Sequence, residues 1–139
     1  MNSLLKSRPS AQALALLSLG LWLSSLPLVG IVLYSEQRQL RGIEILASGW
    51  LSVLILNFAW LANPLFFVVF WRIKRSKESI KLAILALCLS LDTFRLSTVL
   101  IDEGGGQTNV YGYGWGAALW ISSVVLLLVA ALHDAPYNQ

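Results

Sequence analysis

Asp92-Thr93-Phe94-Arg95 interrupts the apolar run Ile80–Ile101 with an acid and a base three residues apart. On a helix, residues at that spacing face the same side. A charged side chain at the centre of a bilayer costs about 2.5–3.5 kcal/mol on insertion scales and normally turns inward. A run this apolar, charged between Leu82 and Ile101 only at Asp92 and Arg95, reads as a membrane helix whose neighbours surround the pair.

Composition supports a bilayer setting. The 139 residues are 57% hydrophobic and 12% charged, with a mean hydropathy of +0.70. Soluble domains carry about 25% charged residues. One integral membrane domain, 1–139, is the expectation. Four apolar runs predict helices over about 10–34, 43–71, 79–100 and 111–132. Lys6 and Arg8 precede the first run as a signal peptide's basic residues would, but the run is too long for one, and an uncleaved first helix is expected. Pro27 and Gly30 suggest a kink in that helix. Asn63-Pro64 predicts another in the second, where Pro64 frees the Trp60 carbonyl and Asn63 can reach it. Tyr111, Tyr113, Trp115 and Trp120, with Trp50 and Trp71, suit interfacial aromatic belts.

Short links make successive helices antiparallel neighbours. The fold class expected is all-α: four transmembrane helices in an up-down-up-down bundle. Net charge is +3, and five of the ten Lys and Arg lie between Arg72 and Lys81. Lys6, Arg8, Arg72, Lys74, Arg75, Lys77 and Lys81 mark one side, against Arg38 and Arg41 on the other. The positive-inside rule then makes both termini cytoplasmic. Arg72, Lys74, Arg75, Lys77 and Lys81 also suit anionic lipid heads. No soluble basic face accompanies them, which argues against nucleic acid.

Depth counting along uninterrupted helices brings Ser24 and Ser25, Asn57, and Ser122 and Ser123 to the level of Asp92 and Arg95. Such a plane reads either as a polar layer fixing a bundle or as a midplane binding pocket or ion relay. One His and one Cys, His133 and Cys88, do not make a metal site. Asp102 and Glu103 beside a Gly run lack calcium-loop spacing. Tyr111-Gly112-Tyr113-Gly114-Trp115-Gly116 lacks the spacing of a phosphate-cradling loop. No metal, cofactor or catalytic residue is expected.

At Gly49-Trp50-Leu51, Phe58-Ala59-Trp60-Leu61-Ala62-Asn63-Pro64-Leu65 and Tyr113-Gly114-Trp115-Gly116-Ala117-Ala118-Leu119-Trp120-Ile121-Ser122 the chain resembles small four-helix bacterial inner-membrane proteins with no characterised activity. The resemblance covers the second and fourth helices and implies a multi-pass bacterial inner-membrane location. It does not include Asp92 and Arg95. Function is expected to be non-enzymatic, through helix–helix contacts with a membrane partner or a second copy, as an accessory subunit or immunity-type protein. The alternative is a small oligomeric transporter or channel built on the polar layer.

Overall fold

Pro27 ends the first helix rather than bending it. In the computed structural model, which describes residues 9–34, 38–75, 77–100 and 106–135, α1 spans Pro9–Ser25 and β1 follows at Val29–Leu33. Ser25 Oγ donates to the Trp22 carbonyl at 2.6 Å, occupying an acceptor of the last turn. The β-branched residues Ile31 and Val32 then suit an extended chain. β1 pairs antiparallel with β2, Gln39–Arg41, and with β4, Gln107–Tyr113; β3, Thr98–Leu100, pairs with β4. The sheet order is β2-β1-β4-β3. Two local hairpins are thus joined by the long-range pair β1–β4, in register Ile31 to Tyr113 and Val32 to Gly112.

The second apolar run also breaks. α2 spans Gly42–Ser48 and a 3-10 segment continues to Ile55. Leu56, at φ 58°, takes the left-handed conformation that stops it. A 3-10 turn, Ala59–Leu61, leads into α3, Ala62–Lys74. Pro64 therefore sits in the first turn of α3, where its missing N–H has no partner to lose. The expected mid-helix kink at Asn63-Pro64 is a helix start. In the third run, α4 covers Ile80–Leu91, and a 3-10 turn, Asp92–Arg95, closes it before β3. The last run begins as β4 and becomes α5, Trp115–Asp134.

The expected fold class is corrected accordingly. Among the described residues, five α-helices of unequal length are joined by a four-stranded antiparallel sheet at one end. Only α5, among the described residues, has the length and apolarity of a membrane span. At 1.5 Å per residue α5 reaches about 30 Å, whereas α3 and α4 reach about 20 Å and 18 Å. The four-helix transmembrane bundle fails because hydropathy counted β-branched strand residues as helix. The same confusion turned the stretch around Tyr111 and Tyr113 into a helix start, when its alternation of exposed and covered residues is that of a strand.

Consecutive long helices run in opposite directions. Ser18 Oγ of α1 donates to the Ser123 carbonyl of α5 at 2.7 Å, and Gly116 of α5 lies against the Leu28 and Val29 carbonyls just past α1. At the far end of α3, Arg72 Nε donates to the Glu78 carbonyl at 2.9 Å and ties the link to α4. Arg75 stacks over Trp71 at 4.7 Å and Lys74 lies 5.7 Å from the Phe70 ring centroid. The basic link and the sheet thus occupy opposite ends. Lys6, Arg8, Asp102 and Glu103, with the expectations attached to them, lie outside the described residues.

The buried stripes are rich in small residues, with a few large ones among them. α1 buries Ala11, Ala15, Ser18, Trp22 and Ser25; α4 buries Ala83, Ala86 and Ser90; α5 buries Ser123, Leu127, Ala130 and Ala131. Phe66, Val69 and Ile73 of α3, with Trp22, Val124 and Leu127, supply the bulk of the core. Outward lie Leu16 and Leu17, Phe67 and Val68, Ile84 and Leu85, Val125 and Val129. Only 39% of the most apolar window of α5 is buried.

Candidate functional site

A cavity of about 110 Å³ opens where the sheet meets the helix ends. Its floor is the end of α1 and the starts of α3 and α5, contributing Trp22, Trp60, Asn63, Ala117 and Trp120. Ile31 and Val99 reach it from the sheet, and Ile45, Leu46, Leu51 and Ile55 close it from α2 and the 3-10 segment.

Asn63 is the polar centre of the floor. It is 9% exposed, and its Oδ1 accepts both the Trp22 Nε1–H at 3.1 Å and the Trp120 Nε1–H at 2.9 Å. Its Nδ2 donates to the Trp60 carbonyl at 3.2 Å. Trp60 Nε1 in turn donates to the Leu46 carbonyl at 2.9 Å, linking the floor to α2. Three buried or half-buried indoles thus have their polar edges occupied, so what they offer the cavity is ring face. Trp120, expected in an interfacial belt, is turned inward by this bond. Trp22 carried no expectation. The available signal was an Asn inside an apolar run: a buried amide needs partners, and Trp N–H groups at matching depth are suitable donors.

Of the residues expected to form a polar midplane, Ser25 and Asn57 line the cavity and the others do not. Asp92 ends α4. Its Oδ2 accepts the Phe58 N–H at 2.8 Å, and its carbonyl accepts Asn57 Nδ2 at 2.7 Å. Asn57 Oδ1 accepts the Ala59 N–H at 3.3 Å. Asp92 and Asn57 together therefore satisfy the backbone where the chain turns into α3, the task of capping side chains. Arg95 reaches Asp92 Oδ1 at 3.0 Å, but its side chain is 77% exposed against 11% for Asp92. Ser24 is exposed and donates to the Gly20 carbonyl within its own helix. Ser25 lines the cavity, Ser122 lies on the outer face of α5, and Ser123 is buried against α1. The structure brings Asn57, Asp92 and Arg95 together, sets Ser25 and Asn57 at the cavity, and scatters Ser24, Ser122 and Ser123. Pro64 is exposed, while Asn63 faces inward.

Tyr113 pins the sheet to the end of α4. Its hydroxyl donates to the Thr93 carbonyl at 2.8 Å, with the Leu96 carbonyl at 3.2 Å as a second acceptor. Burial pushes its phenol above the usual value, which keeps it a donor.

These roles separate Asp92 from Arg95. An exposed ion pair contributes little, so Arg95→Gln is expected to change stability by about 0.5 kcal/mol or less. Asp92→Ala, which strips the acceptor from Phe58 N–H, should cost about 1–2 kcal/mol. Thermal unfolding in mild detergent reads both. Equal losses would make the ion pair, and not the cap, the stabilising element.

Comparison with protein-family models, curated proteins and solved structures finds no match to this chain.

Proposed function

We propose that the helical part of this chain is embedded in a lipid bilayer and that the protein acts through its apolar surfaces, as an accessory protein, rather than by catalysis. The observation that carries this reading is the number of large apolar residues on the outer faces of helices whose contacts are rich in Ala and Ser. Water would penalise such a surface, since soluble monomers rarely expose apolar patches beyond a few hundred Å². Lipid removes that penalty, and close approach through small residues is how helices associate within it. α5 supplies one helix long enough to span; α1, α3 and α4 are shorter and pack around it. Exposed Tyr34, Trp50, Phe94, Tyr111 and Trp115 near the sheet end, and Trp71 beside Arg72 and Arg75 at the other, suit the two interfaces. The basic end, with Lys74, Lys77 and Lys81, suits anionic lipid heads.

Contact rather than chemistry is supported by where the reactive groups lie. His133 is in the last turn of α5, at the basic end, away from the cavity. A transport path through Asp92 and Arg95 has no comparable support, because Asp92 is engaged with backbone and Arg95 points outward.

Cys88, the sole cysteine, tests the setting. It is exposed on α4 between Leu85 and Leu91. In intact membranes a water-soluble maleimide is expected to leave it unmodified and to react after detergent is added, while Gln39→Cys at the sheet edge reacts in both. Alkaline carbonate should leave the protein in the pellet. Release by carbonate, or labelling of Cys88 in sealed membranes, would overturn the reading.

A further inference from the structure

We infer that the cavity takes the terminal segment of one hydrocarbon chain of a bilayer lipid, entering sideways beneath the segment 42–56. The walls set the chemistry of the occupant. Asn63, Trp22, Trp60 and Trp120 spend their polar atoms on one another and on backbone, and Ser25 spends its hydroxyl on Trp22. Ser48, Ser52 and Asn57, also in the lining, bond to backbone. What remains is mostly ring face and aliphatic carbon, which solvates a chain and gives a polar ligand few orienting bonds. An apolar cavity of this order stays dry and accepts small hydrocarbons.

The cover explains the route. α2 and the 3-10 segment after it have no buried residue, although they close the cavity. Apart from Glu44 and Ser48, which bond to backbone, their outer side is largely apolar: Ile43, Trp50, Leu54 and Leu56 are exposed. A chain moving from lipid to the cavity under this segment therefore passes mainly apolar side chains. The left-handed Leu56 at one end and Gly42 at the other bound it. A Cβ on Gly42 would stand 2.5 Å from the Ser25 carbonyl oxygen, so that end is held close to α1.

The inference rests on the bilayer reading for the source of the chain and is tested apart from it. Trp50, Trp71 and Trp115 are exposed and are replaced by Phe, leaving the three cavity indoles as reporters. The probe is stearic acid brominated at mid-chain, titrated into the full chain in mild detergent. Saturable quenching of most of the emission is expected. Ala117→Leu fills the floor and should weaken binding about tenfold, the effect of excluding about two methylenes. Ile55→Phe fills the cavity from the cover, where no residue is buried, and serves if Ala117→Leu does not fold. Quenching that rises without saturation, or that is the same in a filled variant of unchanged helicity, would overturn the inference. A chain that stays in the membrane after carbonate but shows no saturable quenching refutes the cavity and leaves the bilayer reading intact. A chain released by carbonate that still quenches saturably keeps the cavity and refutes lipid as its source.

Discussion

Asn63→Leu is expected to destabilise the protein by about 2–5 kcal/mol, because it leaves two indole N–H groups without an acceptor. The Trp22 ring is 5% exposed, so water cannot replace the lost partner there without entering the floor of the cavity. Leu keeps the branched outline of Asn but is larger, so overpacking at this buried position must be separated from the loss of the acceptor. Thermal unfolding in mild detergent should show a midpoint lower by an amount on the order of 10 °C. The cause can be isolated. Trp22→Phe with Trp120→Phe removes both donors, and Asn63→Leu in that background should cost clearly less than in the parent, since removing both partners of a buried bond is cheaper than removing one. The same loss in both backgrounds would mean that Asn63 matters for its bond to the Trp60 carbonyl, or for packing, and not for the indoles.

That centre also shows what the sequence could and could not reveal. Asn63, Asn57 and Asp92 were legible as polar residues that an apolar interior must satisfy, and each does have partners. Their depth was not legible. Counting from helix ends assumes unbroken helices, and Asp92 instead ends α4 while Asn57 precedes α3. Both therefore belong to a junction rather than to a midplane. The strands were hidden for a related reason. Val29–Leu33 and Thr98–Leu100 are short apolar runs that continue a helix by hydropathy, and periodicity cannot separate the two states over so few residues. Pro27 did mark the boundary, as the residue before it is biased away from helix. Thr108-Asn109-Val110-Tyr111-Gly112-Tyr113 alternates in burial with period two, but its aromatic residues equally suit a membrane interface. Only the long-range pairing of β1 with β4 decides between them, and pairing across that distance leaves no local mark.

Gly114→Ala provides a test in which the two readings differ in sign. If residues 111–132 began a helix at Tyr111, alanine at 114 would stabilise it, by up to about 1 kcal/mol, because glycine is the poorer helix former. In the structure Gly114 instead joins β4 to α5 in extended conformation, and its N–H donates to the Gly30 carbonyl at 3.0 Å. A Cβ there would lie 2.2 Å from the Val29 carbonyl oxygen and 3.0 Å from the carbonyl carbon. These are backbone atoms, so no rotamer change relieves the overlap. Either β1 must leave β4 or α5 must leave the end of α1, and the expected loss is about 3 kcal/mol or more. Gly112 is the control two residues away. A Cβ there meets nothing within 4 Å, and Gly112→Ala should be neutral or stabilising by about 0.5 kcal/mol through reduced freedom of the unfolded chain. Thermal unfolding ranks the two, and hydrogen exchange at Ile31, Leu33 and Val110 locates the damage. Gly114→Ala at or above parental stability would refute the β1–β4 register. A large loss at Gly114 with none at Gly112 requires a backbone neighbour at one position and open space at the other, which a sheet joined to α5 at Gly114 supplies and a continuous helix does not.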